Sequence, residues 1–335
     1  MRAIVLTRPR RIEVAAGWPE PRPGAADVVV AVRAVGLCGS DLSVYDGTRP
    51  VPYLPWVMGH EGGGEIVAVG SAVTDRRAGQ RVVVEPNYCC LACPGCRSGT
   101  TSACERRQSA GINVPGLLAE RVAVPARFTW PVPATVPDEA LACVEPLAVA
   151  RSAVRRSDVG DGDACLVVGA GSQGLLVCQT LLAAGARAYV TDPHEGRLAL
   201  AESIGAEPVD PARARGYATV FDTVGLPEAW ETSQRAVATG GTVVMIGMGA
   251  RPVPLSTMAL TRRQLVVRGS LIYDHPGDFA ATLAALAADG GLAPGRVLHA
   301  ETPPERAADA FAQARTAPGK SWINLTSWRE DGRDR

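Results

Sequence analysis

Apolar and polar residues alternate along most of the first 135 positions, in short runs of Val and Ile broken by Pro and Gly, a period that predicts strands and turns. The clearest strands are 28–35, 64–69, 81–84 and 119–124. After Pro137 the texture changes to an Ala-rich stretch with helical spacing over 138–156, where Pro146 is tolerated near a helix start. This helix is the predicted bridge between two domains. An apolar strand at 165–168 is then followed by a Gly-rich turn, a helix over 173–184, a strand at 187–191 and a helix over 195–204. Further strands are predicted near Val220, at 242–246 and at 264–267. Alternation of this kind predicts an α/β architecture with a doubly wound parallel sheet. One crossover, between Val209 and Val220, is too short for a full helix with its loops. Amphipathic helices at 278–288 and 305–314 and a strand at 322–325 complete the pattern, and the charged residues 329–335 read as a solvated tail.

The 335 residues suffice for two domains, and 47% hydrophobic against 20% charged residues argues against long disorder. Thirty-four basic residues balance thirty-four acidic ones, so no global field favours nucleic acid or an anionic membrane, and a small-molecule partner is expected. The start, MRAIVLTRPRRIEV, lacks the apolar core of a signal peptide, and no later apolar run could span a bilayer. A cytoplasmic protein is expected. Lys320 is the chain's one lysine, within an excess of Ala, Gly, Pro and Arg that reads as codon bias. Nine cysteines in a reducing compartment make a tight cysteine cluster a metal site before it is a disulfide framework.

Four of them, Cys90, Cys93, Cys96 and Cys104, form C-x2-C-x2-C-x7-C, with Pro94, Gly95 and Gly99 supplying turns. Four soft donors with no vacant position suit a structural zinc. Cys89 is placed to compete with Cys90, whereas Cys165 and Cys178 lie in apolar runs and read as inert core thiols. Elsewhere Cys38, His60, Glu61 and Glu145 offer the thiolate, imidazole and carboxylates of an open catalytic zinc site, although packing or a structural His–Glu pair explains each of them singly. Gly169-Ala170-Gly171-Ser172-Gln173-Gly174 reads G-x-G-x-x-G between a strand and a helix, the context in which a pyrophosphate meets a helix N-terminus. Asp192 ends the next strand, 23 residues after Gly169, and is placed for the adenosine ribose hydroxyls. Its charge would repel a 2′-phosphate, which favours NAD over NADP. Arg197 could accommodate that phosphate but reads as a helix-surface residue. Gly247 and Ser270 follow later strands and are expected to flank the nicotinamide.

Three motifs in this order, over nearly the whole chain, resemble the zinc-containing medium-chain dehydrogenase/reductase family of alcohol and polyol dehydrogenases. Gly59-His60-Glu61 with Gly64, Gly70 and Val73 resembles its zinc signature, and Val144-Glu145-Pro146-Leu147 looks like its polyol, threonine and aminocyclitol branch. The resemblance implies a GroES-like β-rich catalytic domain over 1–150 with a structural-zinc lobe at about 86–106. A Rossmann NAD-binding domain over 151–272 and a segment, 273–335, that completes the catalytic domain would follow. Cys38 and His60 would be zinc ligands and Glu61 the third. Glu145 would complete the shell or exchange with Glu61 and water, with Cys143 as a rival thiolate. Asp41 would fix the tautomer of His60, and Ser40 would be the hydroxyl that takes the alcohol proton. Many relatives end that relay at a histidine where this chain has Ser43, so Glu61 or Glu145 acting through water is the substitute. Tyr45 and Trp56 are candidates for the pocket wall.

The implied activity is reversible oxidation of a secondary alcohol by NAD in a chain that binds two zinc ions and forms a homodimer or homotetramer. No arginine is evidently placed for an anionic substrate, which favours a neutral polyol, cyclitol or amino alcohol. The alternatives are an NADPH-dependent carbonyl reductase and a catalytically silent zinc protein that binds a nucleotide.

Overall fold

The structure, a computed structural model, describes residues 1–288 and 292–330. From residue 331 on, the charged tail expected at 329–335 lies outside the described residues. The chain divides into two compact units: Met1–Glu145 with Phe279–Ala287 and the segment from Leu298 on, and Pro146–Asp278 with Ala288–Val297. The division falls inside the helix Leu141–Arg155.

The first unit is built on a seven-stranded sheet among the described residues. Along it lie Thr129–Pro131, Arg81–Val84, Glu61–Val69, Asp27–Gly36, Lys320–Asn324 and Leu298–Thr302, while Arg121–Pro125 also pairs with Asp27–Gly36. Asp27–Gly36 is buried along nearly its full length, so its Val-rich run is apolar on both faces. Val28, Val30, Val32, Val35, Ile66 and Val82 meet Ile4, Leu6, Trp56 and Phe311 in the core. Register is what matters for chemistry here. Gly36 stands opposite Glu61 on one side and Trp322 on the other. The start of the Glu61 strand is thereby brought close to the end of the chain.

In the second unit a six-stranded parallel sheet runs Glu207–Pro208, Arg187–Thr191, Ala164–Val168, Tyr217–Asp222, Val237–Met245 and Val266–Gly269 among the described residues. The chain leaves Ala164–Val168 to one side first and later returns to the other, so strand order reverses there. The carboxyl ends of Ala164–Val168 and Tyr217–Asp222 therefore form a topological switch point, where open α/β sheets bind ligands. The short crossover before Tyr217–Asp222 holds no helix, as its length demands. Pro227–Ala236 and Thr257–Arg262 are helices that the sequence pattern did not predict. Pro146 lies inside the helix Leu141–Arg155 and not near its start, and it has no N–H to give to the carbonyl of Ala142. No described helix is long and apolar enough to cross a membrane.

Asp138 fastens the chain that leads into this helix to the first sheet. Its carboxylate accepts from Arg33 Nη1 at 2.5 Å and from Arg81 Nη2 at 2.6 Å. Burial works against the charge, but the two guanidiniums outweigh it and hold the Asp138 pKa below its usual value. A depressed carboxylate contributes stability above about pH 4 that is lost as pH falls through its folded-state pKa. Asp138→Asn is expected to cost about 1 kcal/mol at pH 7. The gap to the parent should close below pH 4 in urea-melting midpoints.

Candidate active site

Cys38 is the N-cap residue of the short helix Gly39–Tyr45, and the cap is reciprocal: the Asp41 backbone N–H donates to the Cys38 thiol, while Cys38 N donates to Asp41 Oδ2 at 3.0 Å. The other oxygen, Asp41 Oδ1, accepts from Gly59 N at 3.1 Å and pairs with His60 Nδ1 at 3.2 Å. Asp41 is fully buried. Burial would raise its pKa, but His60 and the two backbone N–H groups outweigh that and hold it down. Burial opposes a charged His60 too, yet Asp41 and Cys38 raise its pKa well above that of a free histidine. With Nδ1 turned to the carboxylate, Nε2 is the nitrogen on offer, and Ser40 Oγ lies 3.3 Å from it.

One donor atom each from Cys38, His60 and Glu61 lies within 4.8 Å of the others. Thiolate, imidazole and carboxylate in this number fit an open zinc site. Glu145 is buried on the helix Leu141–Arg155 and does not enter this group of three among the described residues. Cys143 does not enter it either, and burial pushes its thiol up to about 12. Glu61 Oε2 forms an ion pair with Lys320 Nζ, both side chains being buried. Burial would lower the lysine's pKa, but Glu61, Cys38 and Cys143 more than compensate and raise it. Nothing in the local sequence marks Lys320. Its only signal was being the chain's sole lysine.

Ser43 Oγ donates to the carbonyl of Gly39 at 3.1 Å, as a helix serine does. Tyr45 stacks obliquely against Phe311, with ring centroids 5.3 Å apart. Trp56 is buried and donates to Gly111 O at 2.8 Å, so its ring belongs to the core.

Cys90, Cys93, Cys96 and Cys104 form the second donor group, each Sγ within 4.8 Å of the rest. Cys93 N donates to Cys90 Sγ and Cys90 N to Cys104 Sγ, both at 3.3 Å. Backbone N–H groups, that of Ala92 foremost, pull the Cys90 pKa down, which favours the thiolate a metal needs. Cys89 is buried beside this group without joining it, and burial raises its pKa.

In the second unit Gly169 has φ +96 and its N–H donates to Thr191 O at 2.8 Å. A Cβ on Gly174 would come 1.9 Å from Gly169 O, so the helix Ser172–Ala183 can lie this close to the turn only with glycine there. At Gly171, the N-cap, a Cβ would meet open space. The helix start is thus clear for a phosphate. Gln173 Nε2 reaches Pro146 O at 3.3 Å.

Asp192 accepts from Ala170 N at 2.8 Å and from His194 N at 2.9 Å, which pins it beside the turn. Arg197, expected on the helix surface, is drawn in to 3.6 Å from Asp192 Oδ2 with 17% of its side chain exposed. Gly247 backs onto Val224 and Gly225, and Ser270 N donates to Met245 O at 2.9 Å.

Two further residues shape these loops, and neither lies in a recognisable motif. Asp222 Oδ1 accepts from Val224 N and Gly225 N, while its backbone carbonyl accepts from Ile246 N and Gly247 N. Arg156 donates to Ser270 Oγ, Leu271 O and Ile272 O.

Residues 24–134 match the family profile of the alcohol dehydrogenase GroES-like domain and residues 174–288 that of the zinc-binding dehydrogenases. Among curated proteins, the L-galactonate-5-dehydrogenase of Escherichia coli K12 is 31% identical over 84% of this chain and 85% of its own length. An L-threonine 3-dehydrogenase of Saccharopolyspora erythraea is 33% identical over 80% and 83%. Among solved structures, galactitol-1-phosphate dehydrogenase from Escherichia coli is similar with a TM-score of 0.89 at 26% identity, covering 97% of this chain and 100% of that one. A dehydrogenase of the zinc-binding type from Sinorhizobium meliloti 1021, solved with NADP, has a TM-score of 0.87 at 29% identity over 96% and 98%.

If Asp41 orients His60, Asp41→Asn should weaken zinc binding at the Cys38 site by about 10- to 100-fold. The four-cysteine site should be unaffected. A chelator titration of the purified variant should then show one zinc readily lost and one retained.

Proposed function

The chain belongs to the zinc-binding alcohol dehydrogenase family, and on that premise we propose that it oxidises a secondary hydroxyl of a polyol, cyclitol or amino alcohol to a ketone with NAD. NAD(P)-dependent, zinc-type alcohol oxidoreduction on a small molecule is the activity of the chain. The relatives' names put the reacting carbon at C5 of galactonate and C3 of threonine, both secondary alcohols. The observation that carries the reading is the convergence of Cys38, His60 and Glu61 from two distant segments.

In this reading Cys38, His60 and Glu61 hold the catalytic zinc, with Glu145 held in reserve, and Cys90, Cys93, Cys96 and Cys104 hold the structural one. The turn Gly169–Gly174, Asp192, Gly247 and Ser270 take the dinucleotide. Zinc supplies Lewis acidity that lowers the pKa of an alcohol, and the nicotinamide supplies the hydride acceptor. The chain's own residues do the rest. Asp41 keeps the proton on His60 Nδ1 and so leaves Nε2 free to bind. Ser40 Oγ, next to that nitrogen, receives the alcohol proton. Ser43 is turned to a backbone carbonyl, so the proton leaves through water and a carboxylate.

Asp192, pinned beside the turn, supports NAD through its charge. Arg197 next to it favours the second reading, an NADPH-dependent carbonyl reductase. The gathering of Cys90, Cys93, Cys96 and Cys104 as metal donors supports a reducing compartment, the cytoplasm. At the sheet edge Val266–Gly269 exposes Val266 and Val267, 43% and 40%, which supports a homodimer or homotetramer.

A panel of polyols, cyclitols and amino alcohols followed by NADH absorbance tests the proposal. Turnover should be faster with NAD than with NADP, and turnover with NADP at least as fast as with NAD overturns the reading of Asp192. Cys38→Ser should lower kcat/KM by about a thousandfold, the equivalent of several kcal/mol. One zinc per chain should remain in that variant.

A further inference from the structure

Three strands of the first unit meet at one glycine. Gly36 faces Glu61 across one strand pair and Trp322 across the other, and Leu37 N donates to Ser321 O at 2.9 Å. A Cβ on Gly36 would come 2.6 Å from Lys320 Cε, 2.9 Å from Glu61 Oε2 and 2.6 Å from Ala142 O. The missing side chain is therefore the slot through which Lys320 reaches Glu61. Lys320 is 1% exposed and Glu61 2%. A buried ion pair of this kind adds little stability over apolar residues of the same shape, because desolvation consumes the Coulomb gain. Its chemistry accounts for it better.

We infer that Lys320 sets how many oxygens Glu61 can give to the metal. By holding Oε2 it would leave Oε1 alone for zinc, so that Cys38, His60 and a single carboxylate oxygen would bind the ion and one position would stay open for the alcohol. The inference rests on the proposed role of Glu61 as third donor and deepens it.

Side-chain identity supports it. All other members of the set of 34 lysines and arginines are arginines. An arginine here would present a planar fork that pairs with both oxygens of a carboxylate, whereas an ammonium is a point charge that holds one. At the one place where the difference decides whether Glu61 keeps a free oxygen, the chain carries lysine.

The test is the rate at which the first of two zincs passes to a chelator. Lys320→Met removes a positive charge beside the metal and frees Oε2, so release should slow about tenfold, with a raised KM for the alcohol. Lys320→Arg should occupy both oxygens and speed release about tenfold. A lysine with a purely structural role gives the opposite sign for Lys320→Met, since a loosened site loses zinc faster. Release from Lys320→Met as fast as from the parent, or faster, overturns the inference, as does a Lys320→Arg protein that behaves like the parent.

A measurement on the parent keeps the inference testable should either variant fail to fold. The infrared difference between zinc-loaded and catalytic-zinc-depleted protein, with Glu61→Gln identifying the band, reports carboxylate binding mode. A wide splitting of the two stretches means one oxygen bound and supports the inference. A narrow splitting means both are bound and overturns it while leaving Glu61 a ligand. An unchanged band removes Glu61 from the metal and overturns both the inference and the ligand set on which it rests.

Discussion

The arrangement that gathers Cys38 and His60 in the first unit depends on one buried carboxylate. Asp41 accepts hydrogen bonds from Cys38 N, Gly59 N and His60, and so joins a helix start to a strand start that lie about twenty residues apart in sequence. A charge this deep is tolerated because each of its oxygens is engaged. What Asp41 gains from these donors it returns as orientation. The thiol caps the helix, the imidazole has Nδ1 held and Nε2 turned towards Ser40 Oγ, and the strand that begins with Glu61 starts beside them. None of these three donors could be aimed independently of the others.

The second unit solves a different problem with backbone in place of side chains. At the switch point of its sheet, Gly174 packs onto Gly169 and Gly247 onto Gly225, distances that admit no Cβ. Asp192 and Asp222 then satisfy the N–H groups that such tight turns leave without helix or sheet partners. A helix start is left clear at Gly171. A dinucleotide needs that geometry more than it needs particular side chains, which is why a glycine pattern can announce it.

That contrast explains what was legible in the sequence. The four-cysteine lobe and the G-x-G-x-x-G turn write their geometry into short spacings, and the runs at 28–35 and 81–84 are rich in the β-branched Val that favours strands. The parallel sheet followed from alternation of strand and helix. Helices Gly39–Tyr45 and Pro227–Ala236 escaped because the first has seven residues and opens on the turn formers Gly39, Ser40 and Asp41, and the second buries only Ala229, Trp230, Ser233 and Ala236. Trp56 could not be told from a pocket residue until its indole N–H was seen bonded in the core. The pairing of Lys320 with Glu61 was out of reach for a stronger reason: it exists only through the register of strands more than 250 residues apart.

The slot at Gly36 has an evolutionary consequence. Gly36, Glu61, Ala142 and Lys320 occupy four separate elements yet share one small volume, and Pro146 in the same helix has no N–H to give to the carbonyl of Ala142. A mutation at any of these positions meets its neighbours before it meets solvent. The group should therefore drift as an epistatic block, its members accepting or refusing replacements together, while the surrounding valines exchange freely among residues of similar volume.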